Sequence, residues 1–419
     1  MLNKHAQWDS QYEWKAVLLL ALGFGLVGLD RWMIGPLYPL MMQDLNLDYQ
    51  DLGNIMGILG LAWGASSLFA GRLADRIGRR KVLIPATILF SLMTGLTGVA
   101  TGLTSLLIIR FMMGVSEGAF GPTSVALTAE ASKPSRRGLN MGIQQSTFAL
   151  LGIGLGPIIV TQLVQYLPSW HWVFVIMTLP GLILAYFMHK LIREPKHLQD
   201  NPSSSVVVEA EASQPTYTYK DLFKYRNILV GIVCMCSVMT CVFILSAMSP
   251  VYFTNYLQLS VSQMGFVTSG IGFGAFAGQV IIPALSDRFG RKSVTIVALL
   301  IAALLLYQFI HTPAQPLSLF FLLFFIAFGA NSCLCMIGGT IAVESVPLAL
   351  GSTAVGLIIG IGEIFGGGVA PMLAGWIAQS YGIQYTMYLA LAGLIACCFF
   401  ALFFKETAPI KVAKSIVVA

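Results

Sequence analysis

Charge is what this chain has least of: Asp, Glu, Lys and Arg make up 10% of its 419 residues, against roughly a quarter in soluble globular domains. A water-facing surface cannot be built from so little charge, so a soluble fold is excluded. Histidine is scarce as well. His5, His171, His189, His197 and His311 lie at or beyond the ends of apolar runs with no ligand spacing, which leaves neither a metal centre nor Ser/His machinery, and an enzyme is not expected. The seven cysteines (Cys234, Cys236, Cys241, Cys333, Cys335, Cys397, Cys398) fall in apolar stretches without a CxxC pair. They read as packing residues, not zinc ligands or a disulfide framework. The composition also excludes a disordered chain and a nucleic-acid binder.

What is abundant is apolar: 57% hydrophobic residues and a mean hydropathy of +0.80. A spanning helix takes about 20 apolar residues, and runs near 16–40, 51–70, 82–101, 105–130, 139–164, 171–189, 228–250, 263–284, 294–310, 317–343, 353–378 and 386–404 satisfy that length. An all-α, polytopic membrane protein with twelve transmembrane helices is the expectation. The first run has no small-residue cleavage site and reads as a retained helix, not a signal peptide.

The net charge of +6 is placed on one side. Lys4 and Lys15, Arg72 to Lys81, Lys133 to Arg137, Lys190 to Arg226, Arg288 to Lys292 and Lys405 to Lys414 occupy the N-terminus, alternate connections and the C-terminus. The six opposite connections carry no Lys or Arg. By the positive-inside rule both termini are then cytoplasmic, in a multi-pass protein of the cytoplasmic (inner) membrane.

The least apolar stretch, 194–226, mixes charge, Pro and Ser and reads as a linker. Around it the chain repeats: GRLADRIGRRK (71–81) returns as ALSDRFGRKS (284–293), Glu130 with Pro134 as Glu344 with Pro347, and GIGLGP (152–157) as GGGVAP (366–371). Two pseudo-symmetric six-helix bundles are implied, 1–193 and 227–419 about the linker 194–226. Internal repeats of this kind suit a carrier whose halves rock about a midplane site, more than a channel. In these residues the chain resembles the major facilitator superfamily over nearly its whole length. The resemblance implies a cytoplasmic gate at Gly71, Asp75, Arg76, Gly78, Arg79, Arg136, Arg137, Asp287 and Arg288, with Gly71 permitting close helix approach. Asp75 is expected against a helix N-terminus and paired with Arg136 or Arg137.

Ionisable residues within a span are costly and mark function. Here they are Asp30 and Arg31 in the first helix, Arg110 and Glu117 in the fourth, and Glu363 in the eleventh. Arg110, Gly114, Glu117 and Gly121 repeat at i, i+4, i+7 and i+11, on one helix face. Asp30 and Arg31 are adjacent and point roughly 100° apart, so they address different neighbours. LDRWMIGPLYP with RFMMGVSEGAFGP resembles the anion:cation symporter branch of the superfamily, which carries sugar acids and organic anions with protons. That resemblance implies proton coupling at Asp30 and Glu117, an anion hook at Arg110, and a second hook or internal counter-ion at Arg31. The charge count agrees. Two acids and two arginines sum to zero and occupy one another, and protonating an acid frees an arginine for a carboxylate in bidentate geometry.

Glu363 stands outside that four-charge scheme, as a further proton site or a bond to a neighbouring helix. Gln144, Gln145, Gln279 and Asn331 are candidates for lining the cavity, or for interhelical bonds. Tyr38, Trp63, Phe120 and Tyr252 are aromatic candidates for stacking on a substrate, or for anchoring at the membrane interface. GIGLGPIIV partly matches the glycine–proline segment of drug/proton antiporters but has Ile159 and Val160 where glycines belong, and two arginines inside the membrane disfavour cation export. The expected activity is proton-coupled movement of a small organic anion, sugar acid or aromatic or aliphatic carboxylate. Drug/proton antiport is the alternative. No cofactor is expected beyond the proton gradient, and the partners are solute, protons and lipid, with a monomer as the working unit.

Overall fold

The computed structural model describes residues 9–133, 136–193, 222–347 and 350–408. Twelve apolar helices run through them: α1 (Ser10–Leu45), α2 (Tyr49–Ile77), α3 (Arg79–Thr97), α4 (Leu103–Ala131), α5 (Arg137–Tyr166), α6 (Trp170–Leu191), α7 (Arg226–Tyr256), α8 (Val261–Phe289), α9 (Arg291–Ile310), α10 (Pro316–Glu344), α11 (Thr353–Tyr381) and α12 (Tyr385–Ala401). Eleven are long and apolar enough to span a membrane by length and composition, and α12, with 17 residues, is the shortest. Of the expected linker, residues 194–221 lie outside the described residues.

The helix starts follow local chemistry. The Asp9 carboxylate accepts from the Tyr12 amide at 3.0 Å, which caps α1. Asp48 with Asp51, and Ser260 with Gln263, form capping boxes at the heads of α2 and α8. α1 extends further at both ends than its apolar run and contains a turn at Met33; Pro36 lacks the N–H that would bond back to Trp32 and so loosens the helix there. The reversals α2–α3 and α8–α9 each hinge on a glycine with positive φ, Gly78 at 104° and Gly290 at 99°, a conformation that residues with a Cβ rarely adopt. Repeated sequence therefore produces a repeated corner.

Large apolar side chains such as Phe69, Leu18 and Leu304 point outward and are exposed. That pattern suits lipid, which gives helices no hydrophobic reason to associate, so the contacts inside rely on small residues. In the first half α2 packs on α4 and α3 on α6; in the second, α8 packs on α10 and α7 on α12. Three seams join the halves: α2 with α11, α5 with α8, and α1 with α7. A Cβ on Gly60 would lie 2.3 Å from the Gly367 carbonyl, and one on Gly272 only 1.9 Å from the Gly154 amide nitrogen. The seams are closed from the middle of the helices to the side opposite the basic loops.

Toward the basic side they part. Among the described residues, no atom lies within 4 Å of where a Cβ would stand on Gly71, Gly142 or Gly356. In this conformation Gly71 makes no close approach to a described residue, and the glycines that do sit deeper, in the seams. Each half also carries a wide, π-helical stretch at corresponding places, Phe148–Leu155 in α5 and Glu363–Val369 in α11. Such stretches shift the register of the side chains that follow and are frequent at functional sites.

Candidate functional site

The five ionisable residues of the spans converge. Asp30, Arg31, Arg110 and Glu363 all act electrostatically on Glu117, and all five are almost or fully buried. Their arrangement differs from two acids occupying two arginines. Arg31 forms its ion pair with Glu363 of α11, across the boundary between the halves. Its guanidinium is also ringed by aromatic faces, 4.8 Å from Phe243, 5.7 Å from Trp32 and 6.0 Å from Trp63, a setting that stabilises a cation by the ring quadrupoles.

Among the described residues no carboxylate is bonded to Arg110. One Nη donates to the Asp30 backbone carbonyl at 3.1 Å and lies 3.5 Å from the Met113 sulfur, while Nε and the other Nη find no partner among the described residues. Glu117 is fully buried and neither carboxylate oxygen has a partner there. Asp30 is turned toward α3, with the Thr94 hydroxyl beside it and one oxygen unpartnered. Buried polar atoms without partners cost on the order of 1–3 kcal/mol each, more when charged. A cluster holding several of them is not optimised for stability.

The zero charge count is corrected accordingly. With Glu363 included, two guanidiniums face three carboxylates, leaving one negative charge in excess when all are ionised. Asp30 and Arg31, adjacent on α1, serve two bundles: Asp30 keeps to α3 and α4, whereas Arg31 reaches α2, α7 and α11. Phe243 was not legible as a site residue, because nothing in an apolar run marks which phenylalanine will face an arginine.

The polar candidates separate. Tyr38 is buried and donates its hydroxyl to the Asp48 carbonyl at 2.7 Å, which closes the α1–α2 corner away from the cluster. Asn331 donates to the Ala327 carbonyl in its own helix, and Gln144 donates to Ser124 Oγ at 2.8 Å, joining α5 to α4. Those three bonds are structural contacts. Gln145 is exposed and Gln279 half-buried, on α5 and α8.

At the basic rim the repeat shows in side chains. Arg79 pairs with Glu130 at 2.5 Å, and Arg291 with Glu344 at 3.0 Å and Asp287 at 2.6 Å. Arg76 and Arg288 are exposed. Arg136 lies 3.9 Å from Glu13 and Arg137 donates to the Ala129 carbonyl; the side chain of Asp75, their expected partner, is outside the described residues. Sequence reading passed over Glu13 at the head of α1, which is fully buried and accepts from the Lys133 amide and from Asn140. An acid so near the chain's start looked like one of the scattered terminal charges. Among the described residues, no group of three His, Cys, Asp or Glu is disposed to hold a metal ion.

The chain is 26% identical over 305 residues to the hexuronate transporter of Bacillus subtilis, covering 69% of this chain and 71% of that protein. It is 34% identical over 194 residues to the 4-hydroxybenzoate transporter PcaK of Pseudomonas aeruginosa, covering 46% of this chain and 42% of that one. A bacterial homolog of the human lysosomal transporter Spinster, in an inward-facing and occupied conformation, superposes with a TM-score of 0.76 at 17% identity, over 93% of this chain and 96% of that one, a likeness of fold. The model of the Major Facilitator Superfamily matches residues 20–260 and 244–417. With twelve apolar helices in a repeated arrangement and a buried charge cluster between the repeats, this multi-pass membrane transporter belongs to the Major Facilitator Superfamily.

Proposed function

We propose that the protein is a secondary active transporter that moves a small carboxylate-bearing solute together with protons, by alternating access. The observation that carries this reading is Arg110, wholly buried with two donor nitrogens unpartnered beside an equally buried, unpartnered Glu117. A guanidinium with free donors in a low-dielectric interior favours an oxyanion ligand. Glu117 and Asp30 serve as proton carriers, since a proton offsets the cost of a carboxylate buried without a counter-ion. The sugar-acid and aromatic-acid carriers among its relatives support the same class of solute. Import is the favoured direction, and drug export keeps no observation beyond the partial glycine–proline segment.

In this reading the basic side, where the seams part, is cytoplasmic, both termini lie there, and the membrane is the cytoplasmic one. Small solute and protons are the partners, with a monomer as the transporting unit. The test is uptake into proteoliposomes holding the purified chain. An inward proton gradient should accumulate a labelled hexuronate or 4-hydroxybenzoate, and dissipating the gradient should stop it. Movement of these acids against the proton flow, or indifference to it, would sink the proposal.

A further inference from the structure

Glu363 is the one ionisable cluster member contributed by the second half, and it lies on the π-helical stretch of α11. Its carboxylate engages the guanidinium of Arg31 as a solute carboxylate would. The surroundings are aromatic: Trp32, Trp63 and Phe243 present ring faces to that guanidinium, and the indole N–H groups of Trp32 and Trp63 have no acceptor among the described residues. The charged or titratable groups facing Glu363 are Arg31 of α1, its ion-pair partner, and Glu117 of α4, on which Asp30 and Arg110 act in turn. α2 brings Gly64 and Trp63, and α7 brings Phe243 and Met239, with the thiols of Cys236 and Cys241 on the same helix.

We infer that Glu363 is a built-in substitute for the transported carboxylate: it occupies the anion position on Arg31 in the empty carrier and yields that position to the solute when it takes up a proton. This deepens the organic-anion reading above and rests on it. The step balances. A proton from solvent bonds to a Glu363 oxygen, the ion pair with Arg31 ends, and the incoming carboxylate, met by the free donors of Arg110, takes the Arg31 donors as well. At Arg31 one positive and one negative charge enter together, so this step by itself is neutral for a monocarboxylate, and protons carried by Asp30 and Glu117 add to it. Release of acid and proton restores the pair, and because that pair bridges α1 and α11, the empty carrier returns with its halves tied.

The experiment measures binding of labelled 4-hydroxybenzoate and glucuronate to the purified full-length chain, wild type and Glu363→Gln, at about pH 6 and about pH 8. Wild type should lose affinity by about tenfold or more over that interval, since each pH unit above a required protonation costs up to about tenfold. The variant should bind at the higher pH as tightly as wild type does at the lower, change less than about twofold between them, and exchange solute without accumulating it. A variant that keeps the wild-type pH slope overturns the inference and leaves the organic-anion reading standing. Wild type that binds neither acid at either pH overturns both. Should Glu363→Gln fail to fold, Glu117→Gln decides the matter: it is expected to keep the tenfold loss of affinity between the two pH values, because Glu363 is intact, and loss of that slope overturns the inference.

Discussion

The two halves agree at the rim and disagree in the middle. At the basic rim the repeat is preserved down to side chains: Gly78 and Gly290 make matching corners, and Arg79–Glu130 has its counterpart in Arg291–Glu344. In the middle the first half supplies Asp30, Arg31, Arg110 and Glu117, whereas the second supplies Glu363. In the alternating access proposed above, both halves need similar hinges and latches, because both ends of the motion use them. Ligand chemistry has no such need, and a single asymmetric cluster suffices.

The strongest way to break this comparison is Arg110→Ala. If the middle of the first half holds the anion site, carboxylate binding should fall by more than about 100-fold, the loss of a charge-assisted contact worth about 3 kcal/mol. Arg110→Lys should recover little of it, because an ammonium lacks the guanidinium's fork. Binding would be followed by scintillation proximity with the labelled acids, and normal binding in the alanine variant would move the site elsewhere.

Glu117→Gln comes next. It should lower pH-driven accumulation by about tenfold or more while leaving solute exchange across the membrane near wild type, the pattern of a carrier that binds but has lost its proton. If Glu117→Gln abolishes exchange as well, the residue belongs to binding and not to coupling.

The seams should be sensitive for steric reasons. Gly272→Val would place a side chain where a Cβ alone stands 1.9 Å from Gly154, so the closed seam cannot form without displacing a helix. Transport should drop severely while thermal stability falls by no more than a few degrees, because the same bundles can rest with that seam apart. Gly71→Val, where no atom of the described residues lies within 4 Å, should be tolerated in this conformation. Cysteine accessibility on the side opposite the basic loops would report the difference.

Rim substitutions should have smaller and matching effects. Arg79→Gln removes a partly exposed pairing and Arg291→Gln one whose arginine is buried, and both should slow transport by similar, severalfold factors. A large disparity between them would show that the rim is asymmetric too. The smallest effect is at Asp9, whose carboxyl is held below its ordinary value by the Tyr12 amide with help from Arg193. A lowered value in the folded state means the contribution is present above the unfolded carboxyl's range and disappears as pH falls through the folded value, below about pH 4. Asp9→Ala should lower Tm slightly at neutral pH, and the difference from wild type should vanish in acid.

Class and chain topology were legible in the sequence because they follow from one-dimensional quantities. Long apolar runs, all but two of the Lys and Arg residues on alternate connections, and repeated corner motifs require no knowledge of packing. Asp30, Arg31, Arg110, Glu117 and Glu363 were recognisable for the same reason, as charges where lipid should be. Their pairing was not legible. Adjacent residues on a helix point about 100° apart, and which bundle each one meets depends on helix rotation and on where α11 widens into its π-helical stretch. Hence Arg31 could be noticed as a second arginine but not as the partner of Glu363, and Glu13 and Phe243 stayed hidden among ordinary residues.

Composition and periodicity decided by themselves that this chain spans a membrane many times in two related halves, since burial of apolar length in lipid is a property of the segment alone. Only the tertiary structure decided which acid holds which arginine, because an ion pair in a low-dielectric interior is a property of distance, and distance between residues 31 and 363 is set by how the helices pack.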